Sequence, residues 1–377
     1  MRIAYVSLHW PRSLTSGVGK KMQRQLTTWR NLGHEAEFFS HLYLPEDTGT
    51  LVEGQRFLYT IKSGAAGLLP TELSRMAALK KLIAGVRAYQ PDVIYLRWAM
   101  YVYPLQRLYR IAPAVVEINT NDVEEHKLLG GIKSTYNRLT RGITLGGASG
   151  IVYATQELAE MDVFQSFHKP GLVVSNSIDL SAVAPMPAPR NDHPHLAFIG
   201  TPGFAWHGVE KLVELARIYP DIVIDVIGYD HIEGLADLPH NLILHGYRVG
   251  AECNHILAQA DAAIGTLALH RAGLNEASPL KVRDYASRGI PCILPFRDTD
   301  LDDLGSDLIL RIPNDQDNIH THAAEIHDFL LYVQGQRIPR GLVRDRIDNR
   351  IKEQQRLNFM ASLIQKQQII NETNTTI

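Results

Sequence analysis

What most constrains this 377-residue chain is a pattern that runs, stops and runs again. Short apolar segments at Ile3–Ser7, Ala36–Ser40, Val93–Leu96, Ala114–Ile118, Ile151–Ala154 and Leu172–Ser175 lack the alternation of half-solvated strands. They read as strands covered on both faces, the mark of a parallel sheet. Helical stretches fall between them. Val18, Met22, Leu26, Trp29 and Leu32 recur at three- and four-residue spacing, with Gly33 as the stop, and a second helix is expected around Glu72–Ala88. Residues 184–193 (Ala-Pro-Met-Pro-Ala-Pro-Arg-Asn-Asp-His) then carry three alternating prolines, which neither a helix nor a central strand accepts. The alternation resumes beyond them. Strands are expected at Leu196–Ile199, Ile222–Ile227, Leu242–Leu244, Ala262–Ile264 and Cys292–Leu294, with helices near Val209–Arg217, Ala251–Ala260 and Pro279–Ser287. The expected architecture is α/β: two Rossmann-like doubly wound domains, 1–184 and 194–340, facing a cleft and joined by a linker at 185–193. The polar helical tail, 341–377, is expected to cross back to the first domain.

Composition supports that size of core: 45% of residues are hydrophobic and 21% charged. No apolar run reaches the length of a membrane span, and the opening Met1-Arg2-Ile3-Ala4-Tyr5-Val6, soon followed by Trp10-Pro11-Arg12, reads as a strand rather than a secretory leader. Two cysteines, Cys253 and Cys292, make no disulfide framework, so a reducing, cytoplasmic setting is expected. Charge is unevenly spread. Residues 1–185 hold 20 Lys+Arg against 15 Asp+Glu, and the rest hold 18 against 25. A basic first half points to an anionic partner there.

The segment Asn275-Glu276-Ala277-Ser278-Pro279-Leu280-Lys281-Val282-Arg283-Asp284 holds the densest chemistry. Ser278 suits an N-cap and Pro279 a first helical residue. The helix N-terminus, with Lys281 in its first turn, forms an anion seat. Glu276 stands in the loop before it, and Lys281 and Asp284 share a helix face. A capped helix with a surface Lys281–Asp284 pair is the simpler reading, and the residues alone leave both open. In Ser16-Gly17-Val18-Gly19-Lys20-Lys21, Gly17 and Gly19 suit either a plain βα-loop or one whose backbone approaches a ligand. Met22 breaks the dinucleotide fingerprint and Lys21 the P-loop. The second half opens alike, with Gly200-Thr201-Pro202-Gly203-Phe204-Ala205-Trp206-His207-Gly208 after its first strand, and His207 as a donor. His245-Gly246-Tyr247-Arg248 ends a strand at the edge where open α/β sheets bind ligands. His320, His322 and His327 fit no metal spacing and read as structural.

Together these motifs resemble the GT-B glycosyltransferases, and among them the large retaining family 4. Glu276 to Asp284 is similar to that family's E-x7-E motif with aspartate in second place, and Ser278-Pro279-Leu280-Lys281 to a known variant of its interior. Val174-Ser175-Asn176-Ser177-Ile178-Asp179 resembles its Asn-Gly-Ile-Asp segment. The family's Arg and Lys in the second domain are replaced here by Thr201 and His207, and its first-domain histidine by the region of Asn119 and Asp122.

The resemblance implies retaining transfer of a sugar from a UDP-sugar or GDP-sugar to a glycan or lipid-linked acceptor, in envelope polysaccharide or glycoconjugate synthesis. It implies no cofactor and no metal. Glu276 would meet the sugar hydroxyls, Lys281 with the amides of Ser278 and Leu280 the diphosphate, and Asp284 the ribose. Gly17, Gly19, Gly200 and His207 would approach the phosphates; Gly246, Tyr247 and Arg248 the base; Asn119 and Asp122 the acceptor. A non-hydrolysing sugar-nucleotide epimerase and a non-catalytic sugar-nucleotide-binding module remain alternatives. Nucleic acid is not an expected partner. Lys127, Lys133, Arg138 and Arg141, interleaved with Leu128, Leu129, Ile132, Tyr136 and Leu139, leave two readings open: peripheral contact with an anionic membrane, or leucines packed on the sheet with the charges solvated outside.

Overall fold

The computed structural model describes residues 1–8, 17–42, 57–60, 68–128, 130–305 and 307–375. Trp10-Pro11-Arg12, Ser16 and Leu129 of the readings above lie outside them. The chain divides into two compact units, Met1–Ser175 with Asn349–Ile377, and Asn176–Asp348.

In the first unit, strands β1 (Arg2–Ser7), β2 (Glu35–Leu42), β3 (Phe57–Thr60), β4 (Val93–Arg97), β5 (Ala114–Ile118), β6 (Gly150–Tyr153) and β7 (Gly171–Val173) form one sheet. Its order is β3-β2-β1-β4-β5-β6-β7, and every pairing is parallel. Helices α1 (Gly17–Asn31), α2 (Leu68–Tyr89), α3 (Asp122–Leu128), α4 (Gly131–Gly147), α5 (Gln156–Glu160) and α6 (Asp162–Gln165) connect the strands. The apolar stripe of α1 is what pins it: Met22, Leu26 and Trp29 are buried against Ile3, Tyr5 and Tyr95. Each such side chain contributes about 1.5–3 kcal/mol by leaving water.

The second unit repeats the plan. Strands β8 (His195–Ile199), β9 (Val223–Ile227), β10 (Leu242–Leu244), β11 (Ala262–Ile264), β12 (Glu276–Ala277), β13 (Cys292–Leu294), β14 (Arg297–Asp298) and β15 (Ile309–Arg311) belong to it. Its main sheet runs β10-β9-β8-β11-β13-β15, again parallel, while β12 and β14 pair separately. Helices α7 (Glu210–Ile218), α8 (Gly250–Gln259), α9 (Leu280–Arg288), α10 (Asn318–Val333) and α11 (Arg340–Ile347) complete it. Its core joins Leu196, Phe198 and Ile224 to Leu212, Leu215, Ile326 and Leu330.

The long α12 (Asn349–Thr375) returns to the first unit. Leu357, Met360 and Leu363 enter that core, Trp29 Nε1 donates to Glu353 at 2.7 Å, and Arg356 donates to the Val174 carbonyl at 2.9 Å. The division between units falls at Ser175 and Asn176, ahead of the proline-rich stretch at 185–193. That stretch packs within the second unit. The Met186 N–H donates to the Arg288 carbonyl at 2.9 Å, and Asn191 donates to Asp261 at 2.7 Å. Alternating prolines rule out a ladder but leave these neighbours free to bond.

Candidate active site

Three loops at the C-terminal ends of β8, β9 and β10 are stitched to one another. The Gly200 N–H donates to the Ile227 carbonyl at 2.9 Å, Gly228 to Gly246 at 2.7 Å, and Gly246 to Tyr229 at 2.8 Å. Glycine is required at two of these positions. At Gly228 (φ +102°) a Cβ would stand 2.0 Å from the Gly200 carbonyl oxygen, and at Gly200 one would stand 2.6 Å from the rings of Phe198 and Tyr229. The close approach brings His207 over the loop. Thr201 N–H donates to His207 Nδ1 at 3.2 Å, so the proton sits on Nε2. Tyr229 Oη lies 3.0 Å from the same Nδ1 and donates to the Thr201 carbonyl at 2.9 Å. Burial, then the nearby charge of Lys281, push the imidazole down to about 3. His207 is thus a neutral donor.

Lys281 lies in the first turn of α9. Its stem runs inward, and Nζ lies buried 4.1 Å from the centroid of the Phe198 ring, with no hydrogen-bond partner among the described residues. Burial lowers its pKa to about 7. A desolvated ammonium over an aromatic face recovers only part of the hydration it has lost. An arriving anion would supply the rest. The Lys281–Asp284 pair of the alternative reading is not made; Asp284 instead accepts from Arg288 at 3.1 Å, one helical turn away.

Ser278 is likewise not the cap of α9. Pro279 occupies that position in an extended conformation (φ −70°, ψ 136°) with no side-chain cap bond. The Ser278 hydroxyl accepts instead from the Asn176 N–H at 2.8 Å and from Arg283 at 2.7 Å. No described acceptor takes the amides of Leu280 and Lys281, so the start of α9 keeps its anion-binding character. Behind it, fully buried Arg283 pairs with Asp298 and Asp300, each at 2.8 Å, and donates to the Asn176 carbonyl at 2.9 Å. Sequence reasoning missed this anchor, because nothing in a lone Arg283 points to carboxylates 15 and more positions away.

Glu276 is in the short strand β12, not in a free loop, because its backbone pairs with Arg297. The residue is 5% exposed, and its carboxylate meets the Arg297 guanidinium at 3.3 Å. Tyr247 and Arg248 are exposed; Arg248 approaches Glu252 at 3.8 Å.

In the first unit, Gly17 and Gly19 are residues of helix α1 rather than of a loop. The chain there gathers a cluster that the sequence did not announce. Lys21 Nζ contacts Glu117 at 2.9 Å and donates to Asn119 Oδ1 at 2.6 Å; Arg97 lies 3.5 Å from the other oxygen of Glu117. Asp122 is elsewhere. Its two oxygens are taken by Arg141 (2.9 and 3.0 Å) and Asn137 (2.7 Å), which makes it a buried brace between α3 and α4. Arg141 is consequently not part of any surface. His320 and His327 bind surface carboxylates, Glu214 at 2.8 Å and Asp221 at 2.9 Å, as structural histidines do.

Two parallel Rossmann-like sheets with a C-terminal helix returned to the first of them define the GT-B fold of glycosyltransferases. Solved structures of that fold are similar over essentially the whole chain. Sucrose-phosphate synthase from Thermosynechococcus elongatus has a TM-score of 0.64 at 14% identity, covering 100% of both chains. The apo lipopolysaccharide outer core galactosyltransferase WaaB has a TM-score of 0.67 at 12% identity, covering 96% of this chain and 99% of its own. Anabaena Alr3699/HepE, in complex with UDP and glucose, has a TM-score of 0.60 at 14% identity, covering 96% and 100%. No protein-family model and no curated protein sequence matches the chain.

Proposed function

We propose that this chain is a retaining glycosyltransferase that moves a sugar from a UDP-sugar or GDP-sugar to a glycan or lipid-linked acceptor. The observation that carries the reading is the buried, unpartnered Nζ of Lys281 beside the uncapped start of α9. A diphosphate placed there would restore the lysine's lost partner, take up the free amides and accept from His207 Nε2. Charge grows on the diphosphate as the bond to the anomeric carbon breaks, so donors fixed in a desolvated site stabilise the transition state more than the ground state. Glu276, held by Arg297, binds the sugar hydroxyls, and Asp284 the ribose. Tyr247 and Arg248 meet the base, and the acceptor belongs to the first unit. Similarity to a fold whose HepE member was solved with UDP and glucose supports the choice of ligand. The test is a thermal-shift panel of nucleoside diphosphates, in which a binder raises the melting temperature by mass action. UDP and GDP both without effect, on a protein with a normal melt, would remove the reading.

The first unit also leans on an anionic membrane, and α4 is the surface. Ile132 (84% exposed), Tyr136, Leu139 (73% exposed) and Ile143 form one exposed stripe, and the helix contains no acidic residue. Lys133 and Arg138 flank it, while Lys127 is tied to Glu124 at 2.6 Å and Arg141 is buried. Two free cations at about 1 kcal/mol each, with the apolar stripe, suit reversible contact. Sedimentation with phosphatidylserine vesicles at low salt should exceed that with neutral ones; equal recovery would rule it out.

A further inference from the structure

Lys21, Arg97, Glu117 and Asn119 stand together where the first sheet offers a ligand site. Arg97 ends β4, Asn119 follows β5, and Lys21 lies in the second turn of the helix that follows β1. The sheet order turns between β1 and β4, the switch point outside whose C-terminal edge open α/β sheets bind ligands. Arg97 and Glu117 are paired in register, so both they and Asn119 project to the same face of the sheet.

In the cluster three cations, Lys21, Arg97 and Arg356, contact two carboxylates, Glu117 and Glu353, and a third carboxylate, Glu125, feels the charge of Arg97. Its inner end is closed: Arg356 binds Glu353 at 2.6 Å and the Val174 carbonyl at 2.9 Å, and Glu353 accepts from Trp29. Its outer end is less tightly paired. The guanidinium of Arg97 makes one bond among the described residues, and that one is long, at 3.5 Å. Lys21 fixes the orientation of the Asn119 amide by donating to Oδ1. The opposite side of that amide, Nδ2, is buried and has no described acceptor. The two groups with unspent capacity in contact with Lys21 and Glu117 are both donors, Arg97 and Asn119 Nδ2.

We propose that this cluster is a subsite for an anionic group, a phosphate or a carboxylate, carried by the acceptor, with Arg97 and Asn119 Nδ2 as its direct donors and Lys21 as the residue that positions Asn119. The proposal deepens the glycosyltransferase reading by naming the acceptor's class, and it rests on that reading for the word acceptor alone. The basic balance of the first half of the chain agrees with it.

The experiment is a thermal-shift titration of the full chain with orthophosphate, glucuronate and neutral glucose, in saturating UDP so that the seat at Lys281 is filled. Both anions, or one of them, should raise the melting temperature, and glucose should not. The stronger anion identifies the group. Asn119→Asp keeps the acceptor for Lys21 but replaces the free N–H2 by an oxygen, and Arg97→Gln removes the second donor. Each should weaken the anion response at least about tenfold while leaving the UDP response intact. General stabilisation by phosphate is common to all three proteins and cancels in the comparison. Equal anion responses in the wild type and both variants, or anions no better than glucose, would overturn the subsite. If UDP itself fails to bind, the same titration in Lys281→Met without UDP still reads the cluster. The two ideas then fail separately.

Discussion

Replacing Lys281 by methionine should make the protein more stable and less able to bind its donor. Burial moves the lysine from 10.5 to about 7. At 1.36 kcal/mol for each tenfold, that difference amounts to roughly 5 kcal/mol against the charged form inside the protein. The Phe198 ring beneath Nζ returns about 0.5–2 kcal/mol of it. Methionine fills a similar slot without a charge and contacts aromatic rings well. Lys281→Met is therefore expected to stabilise the second unit by about 3 kcal/mol at neutral pH, or roughly 6–12 °C in melting temperature. The pH dependence follows from the sign. The folded-state value lies below the unfolded one, so the disadvantage is complete below about pH 7, shrinks as pH rises, and has gone above 10.5. The variant's advantage should accordingly be large near pH 6 and small near pH 10. UDP should raise the melting temperature of the wild type and not of the variant. Melts of both proteins across that range, with and without UDP, decide the matter. A variant that melts below the wild type near pH 6 would show that Nζ is not an unsatisfied cation, and one that keeps the full UDP shift that it is not part of the donor seat.

Glu276→Ala should abolish sugar transfer while leaving the UDP-induced thermal shift in place; full activity in the folded variant would dismiss Glu276 as the sugar ligand. Transfer should be unaffected by EDTA, because Lys281, the α9 amides and His207 are assigned the neutralisation of the diphosphate, and activity lost to EDTA but restored by magnesium would contradict that assignment. Gly228→Ala should cost about 3 kcal/mol or more, since its Cβ meets the Gly200 carbonyl at 2.0 Å in a left-handed conformation, and chemical denaturation measures it. Asp122→Ala should cost about 3–5 kcal/mol by leaving Arg141 buried without its partner, whereas a residue that only touched the acceptor would leave stability unchanged.

The sequence by itself carried the architecture. Buried parallel strands are local apolar runs, so Ala114–Ile118, Leu242–Leu244, Ala262–Ile264 and Cys292–Leu294 have the same bounds in the structure as in the reading. Two-residue strands such as Glu276–Ala277 have no period to read and exist only because Arg297–Asp298 lies alongside. The candidate site was legible as a list of residues and not as an arrangement. Spacing three apart on a helix suggested that Lys281 would meet Asp284, yet the lysine turns over Phe198, more than eighty positions away in the chain, and loses its partner there. Ser278 has the composition of a cap but is claimed by Asn176 and Arg283. Asp122 stands where an acceptor ligand was expected and is consumed by Arg141, while Lys21, Arg97 and Asn119 converge from three segments. Local sequence sets which backbone conformations are low in energy. Whether a polar group is left without a partner depends on which distant residue reaches it first, and only the tertiary structure decides that.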